Sequence, residues 1–87
     1  MKPKDKKVGH EILAYIKKNG IKQIRIAERL KVNPSLFNEM LMGKRNLSIE
    51  VAFGLEDNFI GKAEVWLQKQ FDYEIAAYKK MIKSKRK

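Results

Sequence analysis

The 87-residue chain predicts an all-α fold of five helices, and three observations carry that prediction. Apolar residues recur at helical spacing along most of the chain. No stretch of four to eight residues shows the alternation rich in Val, Ile and Thr that marks a strand. Breakers at Asn19-Gly20, Asn33-Pro34, Gly43 and Gly61 divide the chain into helix-sized pieces and leave the last piece long.

In residues 9–19, Ile12, Leu13 and Ile16 share a face and Asn19-Gly20 supplies a stop. In Gln23–Leu30, the shared face is Ile26, Ala27 and Leu30. Lys31-Val32-Asn33 is a tight connection. Asn33-Pro34 is a strong helix start: the Asn side chain accepts from free backbone N–H groups, and Pro at the first position has no N–H to leave unpaired. The third helix runs to about Met42 and stops at Gly43. After the loop Lys44-Arg45-Asn46, Ser48 caps a fourth helix over 49–58, with Glu50 near the positive end of its dipole. Asn58–Gly61 is a further break. From Lys62 to about Ser84 no Pro or Gly interrupts a fifth helix, which at ~1.5 Å per residue spans roughly 35 Å.

This length provides one domain: a basic arm at 1–8, a folded body at 9–78 and a basic tail at 79–87 that continues the last helix. Cysteine is absent, which excludes disulfides, thiolate metal sites and cysteine nucleophiles and fits a reducing cytoplasm. No run approaches ~18 apolar residues, so no membrane span is expected. No apolar segment follows Met1-Lys2-Pro3-Lys4, so no signal peptide is expected either. His10, the one histidine, has no metal or catalytic partners in the pattern. No nucleophile–base pair, spaced carboxylate pair or phosphate-cradling Gly loop stands out. The expectation is a protein that is not an enzyme, with no catalytic residues, no metal and no cofactor.

The net charge is +10 and is unevenly spread. Residues 79–87 carry six Lys or Arg and no acid, and residues 1–7 carry four Lys against Asp5. Residues 8–47 hold eight Lys or Arg against three acids, whereas 48–78 hold Lys62 and Lys69 against six acids. A basic half with two basic tails points to a polyanion partner, nucleic acid first.

The window Gln23–Met42 is the most informative. Two helices joined by a tight turn need apolar residues where they face each other and the core. Counting Gln23 as one, places four, eight, ten, fifteen and eighteen hold Ile26, Leu30, Val32, Phe37 and Met40. Place five, where the helices approach most closely, holds the small Ala27. This is the helix-turn-helix pattern, in which the second helix enters the major groove of double-stranded DNA by its N-terminal part. The outward positions there are Pro34, Ser35, Asn38 and Glu39. Asn pairs bidentately with adenine, Glu accepts from cytosine N4, and Ser donates to a base or a phosphate. Gln23 at a helix N-terminus and Asn33 suit phosphates, and the backbone at Gly43 with Lys44 and Arg45 suits the next phosphate. For Glu39 a solvated or Arg-paired role stands beside the base contact. Leu36 either packs or touches a thymine methyl.

Gln23 through Gly43 resembles the XRE/Cro/CI class of helix-turn-helix repressors, with Gln23, Ala27-Glu28 and Gly43-Lys44 at that class's places. Downstream, Trp66-Leu67, Gln70, Tyr73 and Glu74-Ile75 resemble the stretch that marks HigA-type antitoxins, also called plasmid-maintenance antidote proteins. Where that family opens with His-Pro-Gly-Glu, this chain has Val8-Gly9-His10-Glu11, so Glu11 alone matches. Where the turn usually has a left-handed Gly, it has Lys31, at a cost of about 1 kcal/mol.

The resemblance implies a lambda-repressor-like fold and a repressor that binds an inverted-repeat operator as a homodimer. It further implies an antitoxin that binds an mRNA-cleaving toxin and represses its own operon. A stand-alone regulator of phage or mobile-element origin, without a toxin, is the alternative. The fifth helix fits dimerisation because its apolar residues form two stripes. One is Trp66, Tyr73, Ala77 and Met81; the other is Leu67, Phe71, Ile75, Tyr78 and Ile82. A small domain covers one stripe, so Leu67, Phe71, Ile75 and Tyr78 are the expected dimer interface. A peripheral protein resting its basic tail on an anionic membrane or RNA is the third reading.

Overall fold

The computed structural model describes residues 7–85. Lys2, Lys4 and Lys6 of the basic arm, with Arg86 and Lys87 of the tail, lie outside the described residues. Five helices follow in order: α1 Val8–Lys18, α2 Gln23–Leu30, α3 Pro34–Leu41, α4 Ile49–Asp57 and α5 Ala63–Lys85. The described residues contain no strand. The expected all-α, five-helix chain with a long last helix is what forms, with boundaries moved by a residue or so.

Local chemistry sets each boundary. Gly20, with φ +66°, turns the chain out of α1. Lys31 ends α2 in the left-handed conformation (φ 57°, ψ 40°), with its N–H on the Glu28 carbonyl and that of Val32 on Ala27. Asn33 caps α3 with Oδ1, which accepts from the N–H groups of Ser35 (2.8 Å) and Leu36 (3.3 Å). Ser48 Oγ accepts from Val51 N–H at the start of α4. The cap of α5 comes from a distance: Glu56 Oε1 accepts from Ala63 N–H at 2.8 Å.

The core forms where α1, α3, α4 and the first half of α5 converge. Ile12, Ile16, Phe37, Leu41, Leu55 and Ile60 are wholly buried there. Trp66 closes the core and donates from Nε1 to the Ile60 carbonyl at 2.8 Å. Its ring meets Tyr15 edge-on, 6.4 Å between centroids, so Tyr15 sits at the rim. Three side chains of α5 then pin it to the rest. Gln70 pairs with both the N–H and the carbonyl of Leu47. Tyr73 OH donates to the Glu11 carboxylate, which also receives Lys69 Nζ at 3.3 Å.

Past Tyr73 the core ends and α5 does not. Met81, expected on the buried stripe, is exposed because the body stops short of it. Leu67, expected in the second stripe, is half-buried and packs against the core. Phe71, Ile75 and Tyr78 of that stripe stay exposed.

Gly9 sets how closely α1 approaches α3. A Cβ on Gly9 would overlap the Met40 carbonyl oxygen, a backbone atom that cannot swing aside. Gly9→Ala is therefore expected to destabilise the fold by about 1–3 kcal/mol, as overpacking does, although Ala is the better helix former. Urea denaturation of the two proteins measures the difference; equal or higher stability of the variant contradicts the close approach.

Candidate nucleic-acid interface

α2 and α3 are joined by three residues, and their packing leaves one face of α3 outward. Ile26, Ala27, Phe37, Met40 and Leu41 are buried, with Leu30 and Val32 half-buried against them. Pro34, Ser35, Leu36 and Asn38 are exposed along the first turns of α3. Glu39 is half-buried and turns toward the loop that follows.

The structure brings several candidate residues together in pairs. Gln23 Nε2 donates to Asn38 Oδ1 at 3.0 Å. An amide oxygen has two lone pairs and its NH2 two donors. Asn38 therefore keeps one acceptor site and both donors, the complement that an adenine edge requires. Gln23 orients that amide from the N-terminus of α2, so it is a positioning residue for Asn38 as well as a phosphate candidate. The sequence pattern placed both residues but gave no sign that they touch.

Arg45 Nε and Glu39 Oε1 form an exposed ion pair at 2.6 Å. Of the roles open to Glu39, the structure shows the Arg-paired one. The pair holds the guanidinium beside α3 and partly offsets its charge there; being exposed, it adds at most about 1 kcal/mol to stability. Lys44 is exposed at the same loop.

The backbone of that loop requires a correction. Gly43 N–H bonds to the Met40 carbonyl, and Lys44 and Arg45 N–H both bond to that of Glu39. These donors close the C-terminal end of α3 and are not available to a phosphate, so only the side chains of Lys44 and Arg45 remain for one. Asn33 is similarly divided: Oδ1 is committed to capping, and its NH2 remains.

Two residues were not in the expected site. The Lys7 side chain lies over Gly43, and His10 Nε2 is 3.1 Å from the Met42 carbonyl. Both come from the start of α1 and sit at the C-terminal end of α3, which adds a cation beside Lys44. The basic run at residues 2–7 was the only sequence signal for Lys7. Among the described residues no His, Asp and Glu cluster is placed to hold a metal. No helix of theirs is long and apolar enough to cross a membrane.

No family model matches the chain. It is 33% identical over 61 residues to the Virulence-associated protein I of Dichelobacter nodosus. The match covers 70% of this chain and 56% of that protein, so the chain spans little more than half of its relative's length.

The two asparagines of the site separate by role. Asn33→Ala removes the α3 cap and is expected to cost about 1 kcal/mol of stability (range ~0.5–2). Asn38→Ala, on the exposed face, is expected to stay within ~0.5 kcal/mol of the parent. Urea unfolding of both variants checks this, and a larger loss for Asn38→Ala would make it a packing residue.

Proposed function

We propose that this chain is a sequence-specific DNA-binding repressor that acts as a homodimer on an inverted-repeat operator. The observation that carries the reading is the outward face of α3, where Ser35 and Asn38 are exposed and Gln23 holds the Asn38 amide. That is the part of a helix-turn-helix that meets base edges. Phosphate contacts come from Lys44, Arg45, Lys7, the Asn33 amide and the free N-terminus of α2. The excess of cations in residues 8–47 supports the same partner. Two half-sites need two copies, which the exposed Phe71, Ile75 and Tyr78 supply a surface for.

The finer part of the proposal is that the repressor is the antitoxin of a toxin–antitoxin pair. It rests on the resemblance of Trp66-Leu67, Gln70, Tyr73 and Glu74-Ile75 to the HigA type. In this fold Trp66, Gln70 and Tyr73 all hold α5 to the body, so their pattern marks a way of packing. The relative's name adds an association with virulence and no activity. Toward a toxin that grips mRNA, and is therefore basic, the acids of α4 and α5 offer an attractive surface that speeds association. Glu56, which caps α5, does not belong to that surface; Asp57, Glu64, Asp72 and Glu74 are exposed. A regulator without a toxin keeps every DNA contact named above.

A duplex selected from a randomised pool provides the test. Asn38→Ala with Ser35→Ala is expected to weaken binding to it by ~1–3 kcal/mol and to leave binding to unrelated duplexes unchanged. Lys44→Ala is expected to weaken binding to all duplexes alike and to lower the salt slope by about one unit. Recovery of no preferred duplex, or full affinity in the double variant, overturns the reading.

A further inference from the structure

The dimeric reading leaves open how the second copy sits, and α5 constrains it. Phe71, Ile75 and Tyr78 are 57%, 38% and 59% exposed, and Ile82 is half-buried. Their spacing of four, three and four residues follows a seven-residue repeat, so they lie in one straight seam. The side of α5 that meets the body carries Ala63, Trp66, Gln70 and Tyr73, more than a quarter-turn away. Nothing in the described chain covers the seam. Two aromatic rings and two isoleucines in line are an interaction surface rather than a solvent face.

Charge along the same helix is polarised. From 64 to 74 it carries Glu64, Asp72 and Glu74 against Lys69, and Lys69 is held by Glu11. From 79 to 85 it carries Lys79, Lys80, Lys83 and Lys85 and no acid. Parallel pairing sets the two lysine segments side by side. Antiparallel pairing sets each lysine segment on the acidic segment of the other copy.

We propose that two copies pair through this seam with their α5 helices antiparallel, about a two-fold axis passing between Ala76 and Ala77. This rests on the dimeric reading and adds the orientation and register. Phe71 packs on the partner's Ile82, and Ile75 on the partner's Tyr78, each contact occurring twice. On the flank, Asp72 faces the partner's Lys79, also twice. Asp72 is placed for that role: it is exposed, and Gln68 Nε2 donates to its Oδ1 at 2.9 Å. In a parallel pair Lys79 would instead face the partner's Glu74, five residues back in the repeat. The two orientations thus assign different acids to one lysine.

Sedimentation equilibrium of the full chain and its charge variants decides between them. The parent is expected to dimerise, and Lys79→Glu to weaken the dimer at least tenfold at low salt. Adding Asp72→Lys is expected to restore it, and adding Glu74→Lys is not. Circular dichroism confirms that each variant stays helical, and the restored double variant excludes a folding defect as the cause. Rescue by Glu74→Lys, no effect of Lys79→Glu, or a monomeric parent at tens of micromolar overturns the proposal. Stoichiometry on the selected duplex keeps the two levels apart. Two copies per duplex with a monomeric parent reject this seam and leave the dimeric repressor standing; one copy per duplex rejects both.

Discussion

An eight-residue helix has no stability of its own in water, so α3 stands only because its inner face is taken out of solvent. Phe37 and Leu41 are wholly buried and Met40 nearly so. Each large side chain of this kind contributes about 1.5–3 kcal/mol by burial. Much else in the fold serves that one insertion. Gly9 lets α1 come down onto the Met40 carbonyl, Ala27 lets α2 pack closely, and Asn33 closes the N-terminal turn. The exposed face of α3 is then rigid because the buried face is. Neither Ser35 nor Asn38 has to contribute to stability, which leaves them open to select for a partner.

The same economy explains what was legible in the sequence. Caps and breakers act over a few residues, and Asn33-Pro34, Ser48, Gly43 and Gly61 marked helix ends correctly. The left-handed Lys31 was legible through the resemblance, since the class it resembles has a left-handed Gly at that place of the turn. Contacts between distant residues were not. Gln23 and Asn38 are fifteen residues apart, and Glu11 and Tyr73 sixty-two. Residue type and spacing name such groups as candidates, but only packing brings their atoms together. The loop after α3 shows the opposite error. Gly43 and Lys44 fit a phosphate clamp by composition, yet their N–H groups serve the helix end first, since orphan carbonyls there have a prior claim. Likewise Glu56, which the sequence shows only as one of the six acids in 48–78, is the cap of α5.

α5 has two unlike halves. Its first half is structural, fixed by Trp66, Gln70 and Tyr73. Its second half carries an apolar seam that nothing among the described residues covers, followed by a lysine run. A 23-residue helix that packs along half its length leaves the remainder for another surface, and the acid-to-base polarity gives that surface a direction. The proposed DNA contacts and the proposed self-association thereby fall on different elements, so substitution of one need not disturb the other.

Amide shifts of the 15N-labelled chain on titration with the selected duplex measure the central point most directly. The largest changes are predicted at Gln23, Ser35, Leu36 and Asn38, with Lys44 and Arg45 next, while Asp57 and Glu64 stay still. Changes concentrated on the lysine run of α5, with the residues of α3 unmoved, would contradict the assignment of α3 as the reading helix.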